Sequence, residues 1–216
     1  MNHKRWNWLL CLSMAVTLGA CGTLGGTRDA NPALYDLGLG EPVTRAPAIL
    51  PASLEVRAPS WLANASMQYR IDYRQPAQRQ AFAESRWVSP PAEMLERSLR
   101  RAFTTTLAGP AASGAQTGNG CRLRVELDEF TQIFDTPQSS HASVVARAEL
   151  LSARGDAVVA RQLLSIRETA TSPDAKGGVG AHQRASGQLA RELAEWLTNL
   201  EPVLRQNPNA GVTCTR

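Results

Sequence analysis

Apolar and polar positions change period several times along the chain, and each change predicts an element. Met67 to Tyr73 alternates: Met67, Tyr69, Ile71 and Tyr73 share one face, and Gln68, Arg70 and Asp72 share the other. That is the period of a half-solvated strand. Upstream, Tyr35 to Leu39 alternates and predicts a first strand, and Ser53 to Arg57 predicts a second. Pro42, Pro47 and Pro51 make the stretch between them an extended connection, and Pro59-Ser60-Trp61-Leu62 starts a turn or single helical turn. Arg79 to Glu84 predicts a short strand before Arg86-Trp87. Arg122 to Thr131 predicts a long one, with Leu123, Val125 and Leu127 inward and Arg124, Glu126 and Asp128 outward. His141–Ala153 and Ala157–Thr171 read as a hairpin about Arg154-Gly155-Asp156. Ala142, Val144, Ala146, Ala148 and Leu150 line its first arm, and Val158, Ala160, Leu164 and Ile166 its second.

Two segments follow helical spacing instead. Ser89-Pro90-Pro91 is a helix start, with Ser89 as the cap and proline where no donor is needed. Glu93 and Glu96 suit the positive end of the dipole. Leu95, Leu99, Phe103 and Leu107 recur at a spacing of four, with Arg97, Arg100 and Arg101 largely outside the stripe. Gly109 to Gly120 ends this helix as a mobile loop. Ser172 to Gly180 reads as a polar, glycine-rich loop. A last helix then runs from Val179 to Leu200, burying Leu189, Leu193, Trp196, Leu197 and Leu200, and Pro202 ends it. The order predicts a single α/β domain: a mixed, largely antiparallel sheet covered by two long helices.

The N-terminus has a different pattern. Lys4 and Arg5 precede a short apolar run, Trp6 to Leu18, and then Gly19-Ala20-Cys21. This is the layout of a secretory signal, too short to span a bilayer comfortably. Leu18-Gly19-Ala20-Cys21 resembles the lipobox of bacterial lipoproteins, in which the cysteine thiol takes diacylglycerol and the freed amine a third acyl chain. One myristoyl chain binds a membrane only reversibly, whereas three would hold the chain almost permanently. Gly22 after the cysteine, rather than aspartate, favours the outer membrane. The expected organisation is a lipoprotein signal peptide over residues 1–20, a flexible tether over 21–32 and one domain over 33–216.

Composition narrows the function. Without residues 1–20 the chain keeps 196 residues, with 21 basic and 19 acidic side chains and no charge runs. A nucleic-acid partner is not expected from so even a distribution. Cys121 and Cys214 remain after Cys21, and in an exported chain such a pair is more readily bonded than free. The bond would contribute roughly 4–5 kcal/mol in the loop-entropy model. His141 opens a strand and His182 lies near a helix start, where histidines are usually surface or capping groups. No metalloprotease, nucleophile-elbow, phosphate-loop or dinucleotide motif is present. Asp128-Glu129 is a carboxylate pair whose strand positions point to opposite faces, which suits solubility rather than shared acid–base work. No catalytic residue, metal site or cofactor is expected, and the protein reads as not an enzyme. Trp61, Tyr69, Tyr73, Phe82 and Trp87 read first as packing residues, with a lipid-binding patch as the alternative.

Four features in order resemble the ABC-type transport auxiliary lipoprotein family over residues 33–200: a lipobox before Tyr35-Asp36-Leu37; the segment Ala48 to Val56; Arg86-Trp87 ahead of a helix carrying Leu95 and Leu99; and Arg124 to Phe130 followed by a hairpin and an amphipathic helix. The Gly/Ala/Ser stretch at 109–120 departs from the family pattern. The resemblance implies a sandwich like the TolB N-terminal domain. It also implies an auxiliary role in an MCE-type lipid transport system, with an MCE-domain protein, an ABC permease and an ATPase as partners and a homo-oligomeric ring as a possible assembly. Trp61, Trp87, Arg97, Arg100 and Arg101 are then candidate partner contacts. Two other classes stay open: a structural or secretion-complex lipoprotein that binds only proteins, and a periplasmic lipid carrier.

Overall fold

The computed structural model describes residues 31–40, 43, 47–105, 120–155, 157–206 and 214. Its elements are β1 (Ala33–Tyr35), β2 (Ser53–Arg57), a 3-10 turn (Ser60–Leu62), β3 (Ser66–Ile71), β4 (Gln75–Trp87), α1 (Pro91–Thr105), β5 (Arg122–Thr136), β6 (Ser139–Leu151), β7 (Val158–Thr169) and α2 (Ala175–Gln206). The signal, the lipobox, most of the tether and the Gly/Ala/Ser stretch lie outside the described residues.

One seven-stranded sheet runs β1-β4-β3-β5-β6-β7, and β2 also pairs with β5. The pairing is mixed, as expected. β3–β4, β5–β6 and β6–β7 are antiparallel, while β1–β4, β2–β5 and β3–β5 are parallel. β2 and β3 share one side of the long β5: β2 pairs with Arg122–Glu126 and β3 with Gln132–Phe134. Between those two pairings β5 carries a bulge, where Leu127 opposes Ala146 but Glu129 opposes Val145.

The core lies between the sheet and the two helices. From the sheet come Leu123, Val125, Leu127, Phe130, Val144, Ala146, Ala148, Leu150 and Ile166; from the helices come Leu95, Leu99, Leu189, Leu193 and Leu197. Ala142, Ala146 and Ala148 on β6 and Ala181, Ala185, Ala190 and Ala194 on α2 are all buried, which lets the helix lie close to the sheet.

Several elements depart from the sequence expectation, each for a local reason. β1 is earlier and shorter: Gly38 and Gly40 take φ of 66° and break the strand, and Leu37 drops into the core from the loop. β4 has 13 residues and begins before Pro76. Because β1 reaches only Ser85–Trp87, the rest of β4 is a sheet edge, where a proline is tolerated. α1 starts with Pro91 as foreseen, but Ser89 does not cap it. The first helical N–H groups turn to the Pro90 carbonyl, and the Ser89 hydroxyl is buried without a hydrogen bond.

The largest correction is α2. Gly177-Gly178-Val179-Gly180, expected in a loop, lies inside the helix. Asp174 caps it: the Gly177 N–H donates to Asp174 Oδ1 at 2.7 Å and the Ser172 hydroxyl to the same oxygen at 2.8 Å. The glycines serve packing. A methyl group on Gly177 would sit 2.1 Å from the Ser172 carbonyl oxygen, and one on Gly178 2.0 Å from Gln132 Oε1. Pro202 does not end the helix either, which continues far enough to bury Leu204.

Cys121, at the start of β5, and Cys214 lie with their Cα atoms 4.8 Å apart, a separation a disulfide spans.

Candidate functional site

The sheet has one face covered by helices and one open face, and the open face is a lattice of charge. Arg147 bonds Asp128 through two nitrogens, each at 2.7 Å. Arg161 reaches Glu149 at 3.0 Å, and Arg124 approaches the same carboxylate at 3.8 Å. Arg167 bonds Asp135 at 2.8 Å, and Asp135 also takes His141 Nδ1 at 2.8 Å. These are cross-strand partners: most meet an opposite charge on the next strand, and Arg167 on β7 reaches across β6 to Asp135 on β5.

At the bulge the lattice becomes buried. Glu129 is only 8 % exposed and meets Arg70, Arg79 and the Thr131 hydroxyl. Arg79 binds it with both terminal nitrogens at 2.8 Å and also donates to Thr131 at 3.0 Å. Burial pushes the Glu129 carboxyl pKa up, but the bonds from Arg79 and Thr131 and the charge of Arg70 outweigh it and hold the pKa below the usual range. The bulge also corrects the expectation for the carboxylate pair. Both Asp128 and Glu129 meet open-face partners, because the extra residue cancels the alternation. They do not form a pair, since Asp128 is committed to Arg147 and Glu129 to Arg70 and Arg79.

The proposed contact residues are not brought together. Trp61 is 50 % exposed beside this cluster, with the Arg79 guanidinium 5.9 Å from its ring centroid and its carbonyl accepting from Gln68. Trp87 is 2 % exposed and belongs to the core, edge-on to Phe130 at 5.6 Å and to His182 at 5.5 Å. Arg97, Arg100 and Arg101 lie exposed on α1, across the sheet from Trp61. Arg100 pairs with Glu96 at 2.9 Å and donates to the Leu54 carbonyl, and Arg101 donates to the Leu39 carbonyl at 3.3 Å. Of the other aromatics, Tyr69 packs on Phe82 at 4.6 Å and on Phe134 at 5.7 Å, while Tyr73 is exposed.

His141 and His182 are buried rather than at the surface. His141 is held by Asp135 on the open face. His182, in the third turn of the longer-than-expected α2, lies between Trp87 and Phe130, with Nδ1 2.8 Å from the Gly178 carbonyl. Burial lowers its pKa to about 4, against smaller opposing effects of that carbonyl and the Glu129 charge. It is therefore neutral at physiological pH. Among the described residues no His, Cys, Asp and Glu cluster could hold a metal ion, and no helix is long and apolar enough to cross a membrane.

Residues 35–194 match the sequence profile of the ABC-type transport auxiliary lipoprotein component. The chain belongs to that family. The match begins at Tyr35 and ends in α2, so it takes in every strand except the start of β1. A crystal structure of a Xanthomonas campestris protein is similar in fold, with a TM-score of 0.67 at 21 % identity, covering 81 % of this chain and all of that one. A second crystal structure, of an uncharacterized protein, gives a TM-score of 0.59 at 15 % identity, covering 77 % of this chain and 99 % of the other. No curated protein matches. Among the described residues, the charged open face, the β4 edge over Gln75–Ala83, the outer edge of β7 and the exposed residues of α1 are among the surfaces this family member presents. The Glu129 cluster was missed by sequence reading, because its partners Arg70 and Arg79 are far along the chain and the bulge has no local signature.

Proposed function

We propose that the protein is an outer-membrane-tethered periplasmic lipoprotein. It acts as a non-enzymatic auxiliary component of an MCE-type ABC system that moves lipids between the inner and outer membranes. The observation that carries this reading is the family match over 35–194 directly behind the lipobox Leu18-Gly19-Ala20-Cys21. Cys21 carries the acyl chains, and its anchor raises the local concentration of the domain at the bilayer. The partners are an MCE-domain protein and, through it, the permease and ATPase. Trp61 on one side of the sheet and Arg97, Arg100 and Arg101 on the other are the contact candidates that remain at the surface.

A homo-oligomeric ring fits the two unlike sheet edges that the described residues present, β4 over Gln75–Ala83 at one side and β7 at the other, since head-to-tail pairing of unlike edges gives a ring where the rotation between copies closes. In the oxidising periplasm Cys121 and Cys214 are bonded, which ties the C-terminal tail to the start of β5.

Two experiments test the reading. Radiolabelled palmitate should label the protein, and a Cys21→Ser form should lose both label and membrane association. Mild crosslinking in cells followed by purification from detergent should recover an MCE-domain protein. Recovery of protein partners with no MCE component, and no change in outer-membrane lipid on deletion, would favour the protein-binding alternative.

A further inference from the structure

The apolar side chains left at the surface are not spread evenly: three of the largest exposures lie around β1. Leu34 is 65 % exposed, Leu39 77 % and Val88 51 %. Their placement is fixed by backbone geometry. Leu34 pairs in register with Arg86, and the Val88 N–H donates to the Tyr35 carbonyl at 2.9 Å. Tyr35, next to Leu34, turns toward the core, and Leu37 is buried, so the alternation leaves Leu34 facing out. Leu39 is flanked by Gly38 and Gly40, both at φ of 66°, and its carbonyl accepts from Arg101. That kink holds the side chain away from the core, where a regular strand would have given it a packing partner. Arg86 lies in register with Leu34, Arg101 donates to the Leu39 carbonyl, and the Asp36 carboxylate accepts from the Gly38 N–H, so charge of both signs borders these side chains.

We propose that this β1 edge, led by Leu34, Leu39 and Val88, is the surface that rests on the phospholipid bilayer. The proposal rests on the reading of Cys21 as the lipid anchor. The length of chain between anchor and domain is what selects the bilayer as the occupant. Twelve residues lead from Cys21 to Ala33. A chain of that length extends to at most about 40 Å. The start of β1 is thereby kept within reach of the membrane, whatever the far side of the domain contacts. Exposed leucines and valine at that place enter the headgroup–acyl boundary, while the arginines extend their charged ends to the headgroups. Because the large exposed side chains are apolar and the bordering charges are of both signs, the contact depends on apolar insertion rather than on anionic lipid.

The test uses the full lipidated chain in phosphatidylcholine vesicles, with single Leu34→Trp, Leu39→Trp and Leu163→Trp variants. Leu163 is an exposed control on β7, at the other end of the sheet. When the vesicles are made from phospholipid brominated on its acyl chains, the added fluorescence at positions 34 and 39 should fall by about half, with no fall at 163. Added phosphatidylglycerol should leave that pattern unchanged. Quenching no greater at 34 and 39 than at 163 overturns the proposal, as does quenching that requires phosphatidylglycerol. Vesicle flotation of the parent and of Cys21→Ser separates the two readings. If only the parent floats but quenching does not distinguish the positions, the contact surface is wrong and the anchor stands. If Cys21→Ser floats equally, the anchor reading itself fails.

Discussion

The two faces of the same sheet are built on different physics, and β6 shows both at once. Its residues Ala142, Val144, Ala146, Ala148 and Leu150 are buried under α2, where stability comes from apolar area and close packing. The alternate residues Arg147 and Glu149 face away and take part in cross-strand ion pairs with Asp128 and Arg161. On the covered face almost any change of volume is felt. On the open face most charges are solvated and individually contribute little. The fold therefore leaves that face free to be used as a surface. The exception is Glu129, where the bulge sinks one carboxylate among two arginines and a threonine.

Truncating the covered face should give the largest effect. Leu193→Ala, at a fully buried site on α2, should cost about 2–5 kcal/mol in urea unfolding. A loss below that range would mean that α2 is more loosely packed than its small-residue contacts imply. Glu129→Ala on the open face should cost about 2–3 kcal/mol, because it leaves Arg70 and Arg79 half-buried without their counter-charge. A near-zero effect would erase the distinction between the bulge and the rest of that face.

A third measurement uses acid. His182 is neutral in the folded protein down to about pH 4, whereas its ordinary value is 6.5. Above pH 6.5 both states are neutral and the residue contributes no pH dependence. As pH falls below that, the unfolded chain takes up a proton that the folded chain refuses, so stability drops by about 2 kcal/mol between pH 8 and pH 5. His182→Gln should flatten that part of the profile, and an unchanged profile would refute the burial argument. Glu129, with its lowered folded pKa, contributes stability that is lost only at lower pH. The smallest effect belongs to the exposed lattice: Arg147→Ala should change stability by no more than about 0.5 kcal/mol, and less in high salt. A larger loss there would mean that the open face is a structural network rather than a spare surface.

Alternation and helical spacing were legible because they depend on near neighbours. β2, the inward stripe of β5, the β6–β7 hairpin and α1 followed directly, as did the juxtaposition of Cys121 with Cys214. The glycines at 177–180 misled for an equally local reason: glycine is a poor helix former, and only contact with Ser172 and Gln132 makes it necessary there. The Asp174 cap three residues before Gly177 was the signal that could have corrected the boundary.

The amino-acid order by itself determined the class of fold and the family, since periodicity and short motifs are properties of contiguous residues. The tertiary structure alone decided that Trp87 and His182 are core, that Asp128 and Glu129 share a face, and that Leu34 and Leu39 stay outside. Those outcomes depend on which strands pair, where one residue bulges and how closely a helix approaches, and such long-range choices leave no period along the chain.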